Sequence, residues 1–425
     1  VNQSGQSFVA YLFASDAGGF GDDGSENIIK CGSYTVDGSG YSPNVELGFE
    51  PQWVLMRPAT TTGAWVIMDT MRGWVNNGTA ADDANLRPNA ADAEAVNDIG
   101  WPYSTGFYAG YRGSPGAEWI YIAIRRPMKT PESGTEVFAV DNGNGSDNSP
   151  GFISGFPIDM GIRKVTTGSG SFVTSRLTGL SYLRAETNAA EVASTSATTD
   201  YMNGWASFTP QADQYSWMFK RATGFMDAVA YTGDGTTNAR PHNLGVVPEL
   251  MICKWRANNT GEYWYVYHAS LGVNKTIFLQ LPNAEIGFTI TNSTAPTSTH
   301  FTLSGGGLNT SNATYIAYLF ATLAGVSKVG SYTGTGNNLN VDCGFSAGAR
   351  FILIKRTDST GDWYVWDSVR GIVAGNDPYL LLNSTAAQVT NTDYVDPLSS
   401  GFTVTSSAPA ALNASGGSYI FLAIA

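Results

Sequence analysis

Apolar residues in this chain come in runs of four to eight, separated by polar stretches rich in Gly, Ser, Thr, Asn and Asp. That spacing predicts short strands joined by turns. Two kinds of run recur. In FILIKR (351–356) and WVLMR (53–57) both faces are apolar, as in a central strand packed on two sides. In WYVWDS (363–368) the pattern alternates, placing Trp363, Val365 and Asp367 on one face and Tyr364 and Trp366 on the other. The equivalent sets read as Trp65, Ile67 and Asp69; Trp264, Val266 and His268; and Phe172, Thr174 and Arg176. An aromatic followed by Val, Ile or Thr recurs on the first face, which assigns that face inward. The turns between the two runs, such as TDSTGD (357–362), ATTTGA (59–64), ANNTGE (257–262) and TTGSG (166–170), each hold a Gly. A bulged hairpin loop would use it at positive φ.

The runs fall into a repeat. GSYTGTG (330–336) and GSYTVDG (32–38) are each followed by Gly-Phe, an apolar strand, a Thr-Gly turn, a Trp strand and Asp-x-x-Arg-Gly. Weaker copies begin at AVAYTGDG (228–235) and VFAVDNGNG (137–145), and every unit ends on an aromatic-aliphatic strand such as TYIAYLFA (314–321) or SYIFLAIA (418–425). The modules expected are 15–126, a divergent 127–223, 224–322 and 323–425. Residues 1–14 read as the closing strand of a preceding module or a linker, because FVAYLFA (8–14) matches IAYLFA (316–321). On that reading the chain is part of a longer or processed protein. Units of about 100 residues are too long for propeller blades and suit β-sandwiches. The expected fold is all-β, with tandem antiparallel β-sandwich modules of jelly-roll or lectin-like kind. A natural split near Gly224 suggests pairing of the four repeats into halves, 1–223 and 224–425.

Composition narrows the function. Charged residues make up 14% of the chain and aromatics 12%, which favours strands and turns over helices. A net charge of −12 with no basic run argues against a nucleic-acid partner. No apolar run approaches the roughly 20 residues of a membrane-spanning helix, so membrane insertion is not expected. Cys31, Cys253 and Cys343 sit at non-equivalent places and read as small hydrophobes rather than a disulfide or metal framework.

The series GSYTG, GF, FILIKR, STGDWYVWDS, YLLLN, GFTV and LNASGGSYIFLA, complete in the fourth module and extending to the first, resembles a repeat domain of virion proteins of tailed bacteriophages, especially aquatic and cyanobacterial ones. The second module departs most from that pattern. The resemblance implies a virion location, as a tail-fibre or other structural appendage, with other virion proteins, a homo-oligomer (a trimer favoured) and a host-surface glycan or protein as partners. It carries no catalytic residues to transfer.

The residues themselves point to no reaction. There is no G-x-S-x-G elbow and no E-x-D-x-x-E run, and the three histidines lack acid or thiol neighbours at ligand spacing. A non-enzymatic protein is therefore expected, with a depolymerase whose carboxylates converge from separate strands, or a purely architectural capsid-decoration or spacer protein, as the alternatives. Asp69 with Arg72 and Asp367 with Arg370 read as a turn clasp, and His268 in the same slot as a strand-end hydrogen bond. No cofactor is expected. Calcium is the weak candidate, at Asp22 and Asp23 in GDDGSEN (21–27) and at Asp141 and Asp147 in DNGNGSDN (141–148). Tyr364, Trp366, Tyr265, Tyr267 and Trp255, on faces not assigned inward, are candidate platforms for sugars.

Overall fold

The computed structural model describes residues 4–76, 83–127, 129–145, 150–207, 211–257, 263–304 and 307–425. Module 1 runs β1 (Ile29–Thr35), β2 (Asn44–Glu46), β3 (Pro51–Pro58), β4 (Val66–Asp69), β5 (Asp83–Leu86), β6 (Ala95–Asn97), β7 (Trp101–Tyr103), β8 (Gly106–Tyr108) and β9 (Glu118–Arg125). Module 2 follows with β10 (Phe138–Asn142), β11 (Phe152–Ile153), β12 (Met160–Val165), β13 (Phe172–Ser175), β14 (Ser181–Arg184), β15 (Val192–Ala193), β16 (Ala197–Thr198), β17 (Gly204–Ser207) and β18 (Gln214–Phe219). Module 3 holds β19 (Met226–Thr232), β20 (Asn238–Pro241), β21 (Leu250–Trp255), β22 (Trp264–His268), β23 (Ile277–Phe278), β24 (His300–Leu303) and β25 (Thr314–Phe320). Module 4 holds β26 (Ser327–Thr333), β27 (Leu339–Asp342), β28 (Phe351–Arg356), β29 (Trp363–Asp367), β30 (Leu380–Leu381), β31 (Val395–Leu398), β32 (Gly401–Val404) and β33 (Ser418–Ile424). The protein is all-β, and no described helix is long and apolar enough to cross a membrane.

All four modules share one antiparallel topology. The main sheet orders first, last, third, fourth and fifth strands, as in β26-β33-β28-β29-β30 and β1-β9-β3-β4-β5-β6. A small sheet such as β27-β32-β31 or β2-β8-β7 covers one of its faces. The repeated GSYT lies on the first strand, where the Gly is needed for a close approach. A Cβ on Gly330 would come within 2.5 Å of the Phe421 ring, and one on Gly32 within 2.5 Å of the Tyr121 hydroxyl. The hairpin glycines Gly63 and Gly361 do not take the positive φ expected of them. They too answer a steric demand, since a Cβ would meet the Pro58 ring at 2.5 Å and the Arg356 Cβ at 3.0 Å respectively. The equivalent Gly261 lies outside the described residues.

Register corrects the assignment of faces. Phe351 pairs with Asp367 and Leu353 with Val365, while in module 2 Met160 pairs with Ser175 and Ile162 with Val173. The counterparts of Val365 and Asp367 are therefore Val173 and Ser175, one residue before the Thr174 and Arg176 that the alternation led one to expect. The interior of each sandwich is the other face, the one carrying Tyr364 and Trp366, which are buried with Phe402, Phe421 and Val404. The Trp363 and Val365 face is buried as well, but against neighbouring modules. One continuous apolar cluster takes Trp217, Ile162 and Val173 from module 2, Tyr318, Ile252 and Val266 from module 3, and Leu422, Leu353 and Val365 from module 4.

Modules 2, 3 and 4 thus close a ring, three main sheets facing one axis, around a residual apolar cavity of about 30 Å³. The packing groups the repeats as three and one, rather than in halves divided at Gly224. The seams repeat cyclically. Glu191 N–H donates to the Arg256 carbonyl at 2.7 Å, Glu285 N–H to Thr357 at 2.8 Å and Gln388 N–H to Thr166 at 2.8 Å. Trp264 Nε1 donates to the Arg184 carbonyl and Trp363 Nε1 to that of Phe278, each at 3.0 Å. A buried lysine crosses every seam: Lys254 Nζ to Asn188 O at 3.1 Å, Lys355 Nζ to Pro282 O at 3.1 Å and Asn283 O at 2.9 Å, and Lys164 Nζ to Ser384 O. Burial pushes Lys164 and Lys355 down to about 8, which leaves both charged at neutral pH.

Module 1 stands outside the ring, attached through a longer connector, residues 126–137 against 220–225 and 321–326. A buried ionic cluster fastens it. Arg221 NH1 reaches both oxygens of Glu50 at 2.7 and 2.9 Å and its Nε reaches Asp159 at 3.1 Å, while Arg126 NH2 meets Asp227 at 2.9 Å. Burial would raise the Asp159 carboxyl, but Arg221 and Arg176 overcome that and hold it below its ordinary value. Residues 8–14 form no strand here; Tyr11 and Leu12 are exposed.

The lysine seams carry a prediction. Lys355 also donates to the carbonyls of Arg356 at 2.8 Å and Gly361 at 2.7 Å. Lys355→Met would strand these buried acceptors, so it is expected to lower stability by about 2–4 kcal/mol in urea unfolding. An unchanged midpoint would mean the seam does not depend on the ammonium.

Candidate functional site

A wide concavity lies where module 1 meets module 2, a cleft of about 860 Å³. Its two walls are built from the same part of the repeat, the turn that follows the fourth strand. On the module 1 side Asp69, at the end of β4, accepts the Arg72 N–H at 2.8 Å and Arg72 Nε at 3.0 Å. Arg72 NH1 then reaches Glu94 at 2.7 Å, so hydrogen bonding to Glu94, helped by Asp69, raises the guanidinium pKa despite partial burial. On the module 2 side Ser175 holds the turn by accepting Leu177 N–H at 3.3 Å. Thr178, Leu180, Ser181, Ser194 and Asp200 line that wall.

Arg176 is the residue that makes this wall distinctive. Its Nε and NH2 donate to the Ile158 carbonyl at 3.0 and 2.7 Å, and its Nε lies 3.9 Å from Asp159. NH1 is buried and has no hydrogen-bond partner among the described residues. A buried donor without an acceptor is costly, and this one lies beneath a groove edged with hydroxyls and Leu180. The cleft can hold an extended, hydroxyl-rich ligand by hydroxyls from Ser194 and Thr195, acceptors from Asp200 and an apolar contact from Leu180.

The turn clasp expected from D-x-x-R-G is present in both copies. Asp367 accepts Val369 N–H at 3.1 Å, Arg370 N–H at 2.9 Å and Arg370 Nε at 2.6 Å, and also Trp217 Nε1 across the ring at 3.0 Å. His268 takes the same slot in module 3, its Nδ1 accepting Ser270 N–H at 3.1 Å. Burial pushes this imidazole down to about 4, which keeps it a neutral acceptor at neutral pH.

The aromatic platforms are corrected. Tyr364, Trp366, Tyr265 and Tyr267 are buried and Trp255 is half-buried, because the face that carries them is the sandwich interior. Tyr364 and Trp366 stack at 5.8 Å, and Trp366 Nε1 donates to buried Asp377 at 2.8 Å. Tyr265 stacks on Phe288 at 5.7 Å, and Trp255 lies 5.6 Å from Tyr315. None of the five lines the cleft.

The calcium candidates are not brought together. Asp22 accepts the Thr130 hydroxyl at 2.8 Å, Asp23 accepts Ser25 N–H and hydroxyl at 2.9 and 2.6 Å, and Asp141 accepts Ile153 N–H at 2.7 Å. The Asp23 and Asp141 bonds hold a turn and a strand end, and the Asp22 bond ties its loop to the connector after β9. Asp147 lies outside the described residues, and among the described residues no three His, Cys, Asp or Glu side chains converge. Arg176, Leu180 and Asp200 were missed in the sequence, since they sit in the most divergent module. The signal was there in part: SRLTGL (175–180) keeps the Gly of the turn while replacing its Asp.

The His268 cap sets a pH dependence. Its folded pKa lies below the roughly 6.5 of an unfolded histidine, so its contribution is complete above that value and is lost as pH falls toward about 4. Urea unfolding of the wild type and of His268→Asn at pH 7 and pH 4.5 should differ, with the variant losing less by on the order of 2 kcal/mol. Equal losses would remove His268 as the cause.

No curated protein and no solved structure matches the chain. A family model does match it over residues 1–125 and 215–425, leaving out most of the divergent second module that supplies one wall of the cleft. With well over half of its residues covered, the chain belongs to the family described as a domain of unknown function, DUF7483.

Proposed function

We propose that the protein is a non-enzymatic virion appendage component, of tail-fibre or spike kind, that holds a host-surface glycan in the cleft between modules 1 and 2. The cleft carries this reading. It is large enough for several sugar rings, and its lining alternates hydroxyls, charged groups and short apolar contacts. Sugar recognition uses such mixed surfaces, because a pyranose presents hydroxyls at its rim and carbon at its faces.

A depolymerase would need a carboxylic acid kept protonated beside a second carboxylate. Two of the cleft carboxylates are held by guanidinium groups instead, Glu94 by Arg72 at 2.7 Å and Glu191 by Arg256 at 2.8 Å through each of two nitrogens. An architectural spacer is the second reading, favoured by the closed ring, which buries three of the four main sheets on both faces.

A glycan array and binding to intact host cells separate these readings. Leu180 is 53% exposed, so Leu180→Arg should fold normally and weaken glycan binding at least about tenfold by filling the cleft. No signal for the wild type on the array or on cells would sink attachment and leave the spacer. Release of reducing ends from host polysaccharide would replace both with a depolymerase.

A further inference from the structure

In modules 2, 3 and 4 the second face of the main sheet is covered by the other two members of the ring. Module 1 has the same face in the same register. Its middle row is Cys31, Ile122, Leu55, Ile67 and Leu86, matching Val329, Leu422, Leu353, Val365 and Leu380 of module 4. The matching residues of module 4 are buried, whereas the module 1 row is partly exposed throughout, and Ile120 beside it is 38% exposed against 2% for its counterpart Ile420.

The seam parts are in place too. Trp65 stands where Trp264 and Trp363 cross the ring, and its backbone N–H is held by Asn89 Oδ1 at 2.9 Å, as Asn383 Oδ1 holds that of Trp363 at 2.9 Å. Arg57 occupies the position of Lys254 and Lys355. Its guanidinium lies 5.3 Å from the Trp65 ring, and among the described residues its one hydrogen bond is from Nε to the Pro58 carbonyl next to it in the chain.

We propose that module 1 closes a second three-fold ring between three copies of this chain, using the contacts that join modules 2, 3 and 4 within one copy. Trp65 Nε1 of one copy donates to the Arg87 carbonyl of the next, the counterpart of Arg184 and Phe278. Arg57 reaches into the loop after Leu86, as the ring lysines reach into theirs. Glu94 N–H meets the Ala59 carbonyl, as Glu191 meets Arg256. The occupant is a copy of this chain because the same face, repeated three times in it, already selects its own kind. A head-to-tail contact that closes after three members inside the chain closes after three between chains. This inference stands without the attachment reading.

Sedimentation equilibrium of the full chain tests it. The expected mass is three times 45.1 kDa, with Ile120→Arg sedimenting as a single chain and Val247→Arg, at a site 49% exposed in module 3, still a trimer. The circular dichroism spectrum of Ile120→Arg at 25 °C should match the wild type, because the side chain is at the surface of its own module, while its melting temperature loses the concentration dependence that association gives the wild type. A wild-type chain that stays single at every concentration, a dimer or tetramer, or a trimer that Ile120→Arg leaves intact would each overturn the proposal.

Discussion

Each module builds a main sheet that is apolar on both faces but only one small sheet to cover it. The uncovered face is the constraint on which the architecture rests. A sheet with Trp, Val and Leu on its second face cannot be left to water without giving up roughly 1.5–3 kcal/mol per large side chain. Modules 2, 3 and 4 resolve this by facing one another across an axis. Short connectors between them keep the partners at hand, and the sandwich becomes a building unit rather than a finished domain.

Apolar contact alone would leave the three sheets free to slide, since burial of surface has no direction. The seams supply direction. Each has an equivalent backbone hydrogen bond and a buried lysine, joined in two of the three by a tryptophan N–H; the equivalent amides donate one way around the ring and the lysines and tryptophans the other. A charged amine surrounded by carbonyl oxygens of the next module tolerates little displacement, because any shift strands acceptors in a dry interior. Module 1 is held differently, by two arginines and three carboxylates drawn from three modules. That fastening is polar and off the main sheet, and it leaves the apolar face of module 1 where it was.

Much of this could be read from the residues. FILIKR and WVLMR announced a strand packed on both sides, and the four copies of the hairpin announced a repeated antiparallel unit. What could not be read was which partner takes which face, because alternation along WYVWDS is equally consistent with Trp363 or Trp366 inside the sandwich. The exposure inferred for Tyr364 and Trp366 failed for that reason. The lysine in FILIKR, MICKWR and GIRKV was the overlooked sign: a charge at one register of an apolar run, written three times, marks an interface with a polar rim. The cleft was hidden for another reason. Its two walls are equivalent turns brought together by the docking of module 1, and Arg176 lies 104 residues from Arg72 with no spacing to connect them.

The axis of the ring is filled by unlike residues at like positions. Trp217, Tyr318 and Leu422 occupy one register of the closing strand and all three line the same small cavity. A ring of identical chains must place the same side chain there three times, and its volume changes in steps of three. Joining the members in one polypeptide removes that restriction, so a large ring can be balanced by a smaller neighbour. The modules are consequently no longer interchangeable: a chain carrying module 4 twice would put two leucines opposite the tryptophan and open a void, and one carrying module 2 twice would force two indoles into a space shaped for one. Their order along the chain is itself a packing constraint.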